Sequence, residues 1–162
     1  MKSSVSLTII KPLDETDLAI LRALQDNARV SNAALARRIG LTPPATLERV
    51  RRLEEAAVIR GYHADLDPLP LGFGMTVVLL IRLGHHGREA VHAFRDAIAV
   101  VDEVAECHYL TGTADFLLKV RVADVAGYRA LLESAISGLP GIAHVESAVV
   151  LETLKDNPTL AL

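Results

Sequence analysis

Between Gly40 and Pro43 the chain carries a helix stop and a helix start, and nothing else in the sequence constrains the fold as tightly. The surrounding segment, SNAALARRIGLTPPATLERVRRLE at residues 31–54, reads as two short helices joined by a tight turn. Ser31 is placed to cap the first, because its hydroxyl can accept from an orphan N–H of the opening turn. Leu35 and Ile39 share one face of that helix. Gly40 takes positive φ without a Cβ clash and so ends it. Thr42 is the next cap, and Pro43 sits where its missing N–H costs nothing. The second helix then points Leu47, Val50 and Leu53 inward, with Ala45, Glu48, Arg49 and Arg52 opposite and Arg51 on the flank. An apolar back with a basic front is what a helix needs to enter a DNA major groove. The DNA-facing set expected from this stretch is Ser31, Asn32, Thr42, Pro44, Ala45, Thr46, Glu48, Arg49, Arg51 and Arg52.

An arginine-rich helix face is more often merely solvated, and Glu48, Glu54 and Glu55 stand at spacings that could pair with it. Three further features favour DNA. The double cap encloses a short turn, as helix-turn-helix motifs require. An upstream segment, LDETDLAILRALQDNA, has Asp14 as a cap, Glu15 and Asp17 complementing the dipole, and a stripe of Leu18, Ile20, Leu21 and Leu24. The charge is also segregated. Residues 29–60 hold seven arginines against three glutamates, a net of +4, whereas residues 74–162 hold seven Lys+Arg against eleven Asp+Glu, a net of −4. One basic module beside one acidic module suggests two jobs.

Gly61, Pro68, Pro70, Gly72 and Gly74 break helical order, so 61–73 reads as a hinge, with a short strand at 63–66. Beyond it strands and helices alternate. MTVVLLIRL (75–83) is an apolar, β-branched strand, and residues 87–101 carry Val91, Phe94 and Ile98 at helical spacing. VAECHYL (104–110) and DFLLKVRV (115–122) are strands joined by the Thr111–Ala114 turn. Tyr128, Leu131, Leu132, Ala135 and Ile136 mark a second helix, and VESAVVLETL (145–154) the last strand. The order β-α-β-β-α-β is a ferredoxin-like split βαβ arrangement. Both helices cover one sheet face. The first strand is nevertheless apolar on both sides, so the bare face is expected to bury itself, most simply against a second copy.

LDETDLAILRALQDNAR, GLTPPATLERVRRLEEAAVIRGY and ECHYLTGTADFLLKVRV, in that order, resemble the Lrp/AsnC family of transcription regulators over roughly residues 13–157. The resemblance implies an α+β chain: an N-terminal winged helix-turn-helix domain, a hinge strand, and a C-terminal ferredoxin-like βαββαβ domain that senses a ligand and dimerises. It further implies dimers that assemble into octameric rings. An amino acid or related small-molecule effector is implied near the turn between the second and third strands, where subunits meet. The matching positions are Tyr109, Thr111, Gly112, Asp115, Val125, Ala148, Val149 and Val150. The expected organisation is therefore a flexible arm at 1–12, a DNA-binding domain at 13–60, a hinge at 61–73, a sensing and oligomerisation domain at 74–154 and a tail at 155–162.

The turn is also sensible on its own chemistry. Gly112 permits close backbone approach, turn N–H groups can bind a carboxylate, and Asp115 can meet an α-ammonium. The plainer alternative is a hairpin glycine and an aspartate that satisfies its own loop. Other signals are weak. His85–His86 and Cys107–His108 are sequence neighbours that do not converge on one face, so no metal site or cofactor is expected. A single cysteine, Cys107, fits a reducing cytoplasm. No nucleophile elbow, P-loop or dinucleotide fingerprint is present, so no enzyme is expected. No apolar run nears the ~20 residues of a membrane span. The expected partners are double-stranded DNA, an effector and further copies of the chain. An effector-independent architectural DNA-binding protein is the alternative reading.

Overall fold

The computed structural model describes residues 12–85, 87–157 and 159–162. All but the last residue of the expected N-terminal arm, 1–12, lies outside them. The chain forms two compact units, one running to Asp65 and taking in Asn157–Leu162, the other spanning Leu66–Asp156.

The first unit is a bundle of α1 (Glu15–Asp26), α2 (Asn32–Ile39) and α3 (Pro43–Glu55). A capping box opens α1: Asp17 N–H donates to Asp14 Oδ1 at 2.8 Å, and Asp14 N–H to Asp17 Oδ2 at 3.3 Å. Ser31 caps α2, its Oγ accepting from Ala34 N–H at 3.2 Å. Gly40 closes that helix in the left-handed region at φ 72°. Thr42 precedes α3 as expected, but its side chain makes no capping bond. Its carbonyl instead accepts from both the Thr46 N–H and the Thr46 hydroxyl, each at 3.0 Å. Ile20, Ala23, Leu35 and Leu53 form the core, with Val30, Ile39, Val50, Val58 and Ile59 around them.

Residues 61–67 are not in a strand, so neither the wing nor the hinge strand is seen as a ladder among the described residues. A strand needs a partner, and this segment is exposed. Residues 159–162 return to α1. Gln25 grips the Leu160 backbone at both groups, Nε2 donating to its carbonyl at 3.1 Å and Oε1 accepting from its N–H at 2.7 Å. Arg22 Nε donates to the Leu162 carbonyl at 3.0 Å.

The second unit contains β1 (Met75–Leu83), α4 (Arg88–Ile98), β2 (Val104–Tyr109), β3 (Phe116–Val122), α5 (Val125–Leu131) and β4 (Ile142–Val149). A π-helical turn, Leu132–Ile136, prolongs α5. The sheet order is β2-β3-β1-β4, antiparallel throughout. The last strand ends earlier than the apolar run suggested, and Leu151 and Leu154 stand exposed beyond it.

Strand alternation sorts the side chains. Val77, Leu79, Ile81 and Leu83 of β1 and Phe116, Leu118, Val120 and Val122 of β3 are buried with Phe94 and Ile98 of α4 and Leu131 of α5. The alternate residues lie on the other face. There Val78 pairs with Lys119 and Ala148, and Leu80 with Leu117 and Glu146. That face is half-buried and mixed rather than uniformly apolar: a strip of Val78, Leu80 and Leu117 runs between charged margins.

Candidate functional site

The structure turns α3 relative to the sequence expectation. Thr46, expected to face DNA, is fully buried at 0 % exposure and hydrogen-bonded to Thr42, so it cannot reach a base. Leu47, expected inside, is 59 % exposed. The inward row is Thr46, Val50 and Leu53, joined by a half-buried Arg49. The reason lies on α1, where Asp17 is only 1 % exposed. Arg52 Nη2 reaches its Oδ2 at 2.7 Å, and Arg49 Nη1 its Oδ1 at 2.8 Å. Arg49 Nη1 also holds Asp14 Oδ2 at 2.7 Å. A carboxylate this buried needs charged partners, and the two arginines supply them. The Arg49 guanidinium hydrogen-bonded to Asp14 lowers that carboxyl below its usual range, aided by the Asp17 N–H. Arg49 is correspondingly raised.

The opposite, exposed row of α3 is Pro44, Ala45, Leu47, Glu48 and Arg51. Arg51 extends along the helix to Glu55 at 2.9 Å in an exposed pair of little strength. Asn32 is half-buried, and its Nδ2 donates to the Pro43 carbonyl at 2.8 Å, tying the start of α2 to the start of α3. Ser31 and Thr42 are exposed at the mouths of the two helices. Tyr62 donates to Glu54 Oε1 at 2.9 Å, and burial together with that bond pushes its phenol up to about 12.

In the second unit the β2–β3 turn is a defined loop. Leu110 N–H donates to the Asp115 carbonyl, and Asp115 N–H to the Ile81 carbonyl, both at 2.8 Å. Between them the N–H groups of Thr111, Gly112, Thr113 and Ala114 have no backbone partner among the described residues. Gly112 holds φ +127°, with open space where a Cβ would stand. Asp115 Oδ2 accepts from Leu83 N–H at 2.7 Å, so this side chain ties the turn to the end of β1. Tyr109 lies beside the turn, its ring 5.0 Å from that of Phe116.

The remaining expected effector residues are elsewhere. Val149 pairs with Val77 and Ala148 with Val78 near the start of β1, and Val150 N–H donates to the Thr76 carbonyl at 3.0 Å. Val125, exposed, begins α5 just after β3 ends opposite Met75. Within one chain, then, Tyr109, Thr111, Gly112 and Asp115 gather at one end of the sheet, and Val125, Ala148, Val149 and Val150 at the other. Two concavities of about 260 and 290 Å³ contain none of the eight. The second is lined by Cys107, whose thiol is pushed up by burial and so is no activated nucleophile.

Comparison with known proteins supplies the context. Residues 13–54 match the model of the AsnC-type helix-turn-helix domain, and residues 76–160 that of the Lrp/AsnC ligand binding domain. The leucine-responsive regulatory protein of Haemophilus influenzae is 41 % identical over 152 residues, covering 94 % of this chain and 92 % of the relative. Its Escherichia coli K12 counterpart is 40 % identical, over 94 % and 93 %. Among solved structures, a transcriptional regulator of Neisseria meningitidis in complex with L-methionine matches with TM-score 0.85 at 30 % identity, covering 92 % of this chain and 96 % of that one. An AsnC family regulator of Agrobacterium tumefaciens matches with TM-score 0.85 at 34 % identity, over 91 % and 96 %.

Proposed function

The chain belongs to the Lrp/AsnC family of transcription regulators, and from that footing we propose how its two units divide the work. It is a DNA-binding regulator of transcription that responds to a small metabolite. The first unit sets α3 in the major groove. Pro44, Ala45, Glu48 and Arg51 meet base edges, while Ser31, Asn32 and Thr42, at the mouths of α2 and α3, stand by the flanking phosphates. Arg49 and Arg52 act from behind by fixing α3 on α1. The observation that carries this reading is the exposed row ending in Arg51 on the second helix of the α2–α3 pair.

The effector is an amino acid. The relatives named above include leucine-responsive proteins and one solved with L-methionine. The turn at 111–114 suits an α-carboxylate, because clustered backbone N–H groups bind anions. Asp115 suits an α-ammonium by its charge and its place beside the turn, with its Oδ2 already anchored by the Leu83 N–H. The site is completed between subunits, one providing Tyr109, Thr111, Gly112 and Asp115 and another Val125, Ala148, Val149 and Val150. Their separation along β1 in a single chain supports this division. Dimers form through the bare sheet face and assemble into larger rings such as octamers. The protein acts in the cytoplasm and regulates rather than catalyses.

The test is the affinity of the full chain for a duplex it has itself enriched from a random library, with and without each common amino acid. One amino acid should shift that affinity about 5- to 150-fold, the usual range for a coupling between two sites. If the enriched duplex binds equally with every amino acid, the architectural reading takes over.

A further inference from the structure

Leu47 is out of place for a helix that only needs to fold. It is the large apolar side chain most exposed on α3, at 59 %, while the core beneath is closed by Leu53 at 2 % and Thr46 at 0 %. It belongs to neither apolar cluster of the molecule. Its neighbours on the exposed row are Pro44, Ala45, Glu48 and Arg51, so a lone large apolar side chain stands among small and charged groups. In water such a side chain contributes nothing to stability. Covered by an apolar group, it gains by burial.

A major-groove floor presents donors, acceptors and one apolar group, the 5-methyl of thymine. Residues near the start of a recognition helix are those that reach base edges. Leu47 is the fifth residue of α3 and follows the Pro43–Pro44 start. We propose that Leu47 is a specificity-determining residue that reads a thymine through its 5-methyl group, with one such contact in each half-site. The inference rests on the reading of α3 as the recognition helix and adds to it the base that helix selects. Polar rows discriminate by hydrogen bonds; this contact discriminates by burial, rejecting cytosine and uracil because they lack the methyl.

The experiment is a uracil scan. The full chain enriches duplexes from a random library, and each thymine of the enriched site is replaced in turn by uracil, which removes only the methyl. The parent should lose about three- to fivefold at one position per half-site, the size expected for burying one methyl. Leu47→Ala should bind the site more weakly and be indifferent to uracil at that position alone, with thermal unfolding unchanged because the side chain is exposed. Leu47→Gln, which can pair with adenine, should shift the enriched base pair there. A flat uracil profile for a parent that does enrich a sequence overturns the role of Leu47 and leaves the recognition helix standing. So does a Leu47→Ala variant that keeps the parental profile, or one that changes sedimentation instead, which would make the leucine a subunit contact. A parent that enriches no sequence overturns both.

Discussion

Arg52 on α3 reaches back 2.7 Å to Asp17 on α1, and Asp17 is all but sealed from water. The pair joins the helix that opens the bundle to the second helix of the helix-turn-helix pair. It makes the basic character of α3 partly internal, so the arginines of this helix divide into two that hold it and one that faces outward.

The double substitution Arg49→Ala/Arg52→Ala is expected to destabilise the first unit strongly, since it strands a buried carboxylate. Removing the partner of a buried charge costs about 3–5 kcal/mol, and the partial exposure of these arginines favours the lower end. Urea unfolding checks it. Asp17→Asn in the same background should recover part of the loss, because no buried charge then remains. A double variant as stable as the parent would show that the network only decorates the surface.

Acid should weaken the same joint. Asp14 is held below the ordinary carboxylate range, first by its hydrogen bond to Arg49. Its stabilisation is therefore complete above the unfolded value, near the ordinary 3.8, and is lost as pH falls through the lower folded one. Glu106 is lowered likewise, chiefly by Lys119 and then by His108. Unfolding followed from pH 6 down through this window should show a steeper loss for the parent than for Arg49→Ala. Equal slopes would remove Asp14 from the account.

On the sheet, Val78 and Leu79 are neighbours with opposite fates. Leu79 is sealed beneath the helices, whereas Val78 shares the bare face with Leu80 and Leu117. Val78→Asp should leave a folded chain that sediments as a smaller species, because an unpaired charge in an interface is costly. Leu79→Asp should unfold the second unit instead. A parent that is monomeric at micromolar concentration would dismiss the bare face as an interface.

Asp115 separates into two roles by choice of substitution. Asp115→Asn keeps an acceptor for the Leu83 N–H but no charge for an ammonium, so it should lose the amino-acid response, with its thermal unfolding followed alongside. Asp115→Ala also loses the bond and should cost about 1–3 kcal/mol if the Leu83 N–H is left without a partner. Apo DNA affinity should stay near parental in Asp115→Asn. An unchanged effector response in that variant would confine the residue to a structural part.

Much of the fold was legible because periodicity is a direct imprint of burial. The β1 bounds, the Gly40 stop, the Pro43 start and the order of strands and helices all follow from local signals. The rotation of α3 did not. It depends on a charge pair between helices more than thirty residues apart, which no helical wheel of α3 contains. A hint was present on α1, where Asp17 stands three residues before Ile20 and so on its apolar stripe. An acid on such a stripe asks for a basic partner inside. Leu47 and Thr46 were exchanged for the same reason: hydrophobicity assigned them sides, whereas the Thr46 hydroxyl satisfies itself on the Thr42 carbonyl and tolerates burial. The β2–β3 turn was legible from its glycine. The distance to Val149 and Val150 was hidden because sequence proximity says nothing of which end of an antiparallel strand a residue reaches.

Gln25 clasps Leu160 at both backbone groups, and this changes what kind of insertion the second unit is. The chain leaves the helical bundle after Asp65 and rejoins it at Asn157. The first unit is thus finished by residues that come in the sequence only after the second is complete. A chain cut before Asn157 would therefore leave Gln25 on α1 without the Leu160 backbone it holds.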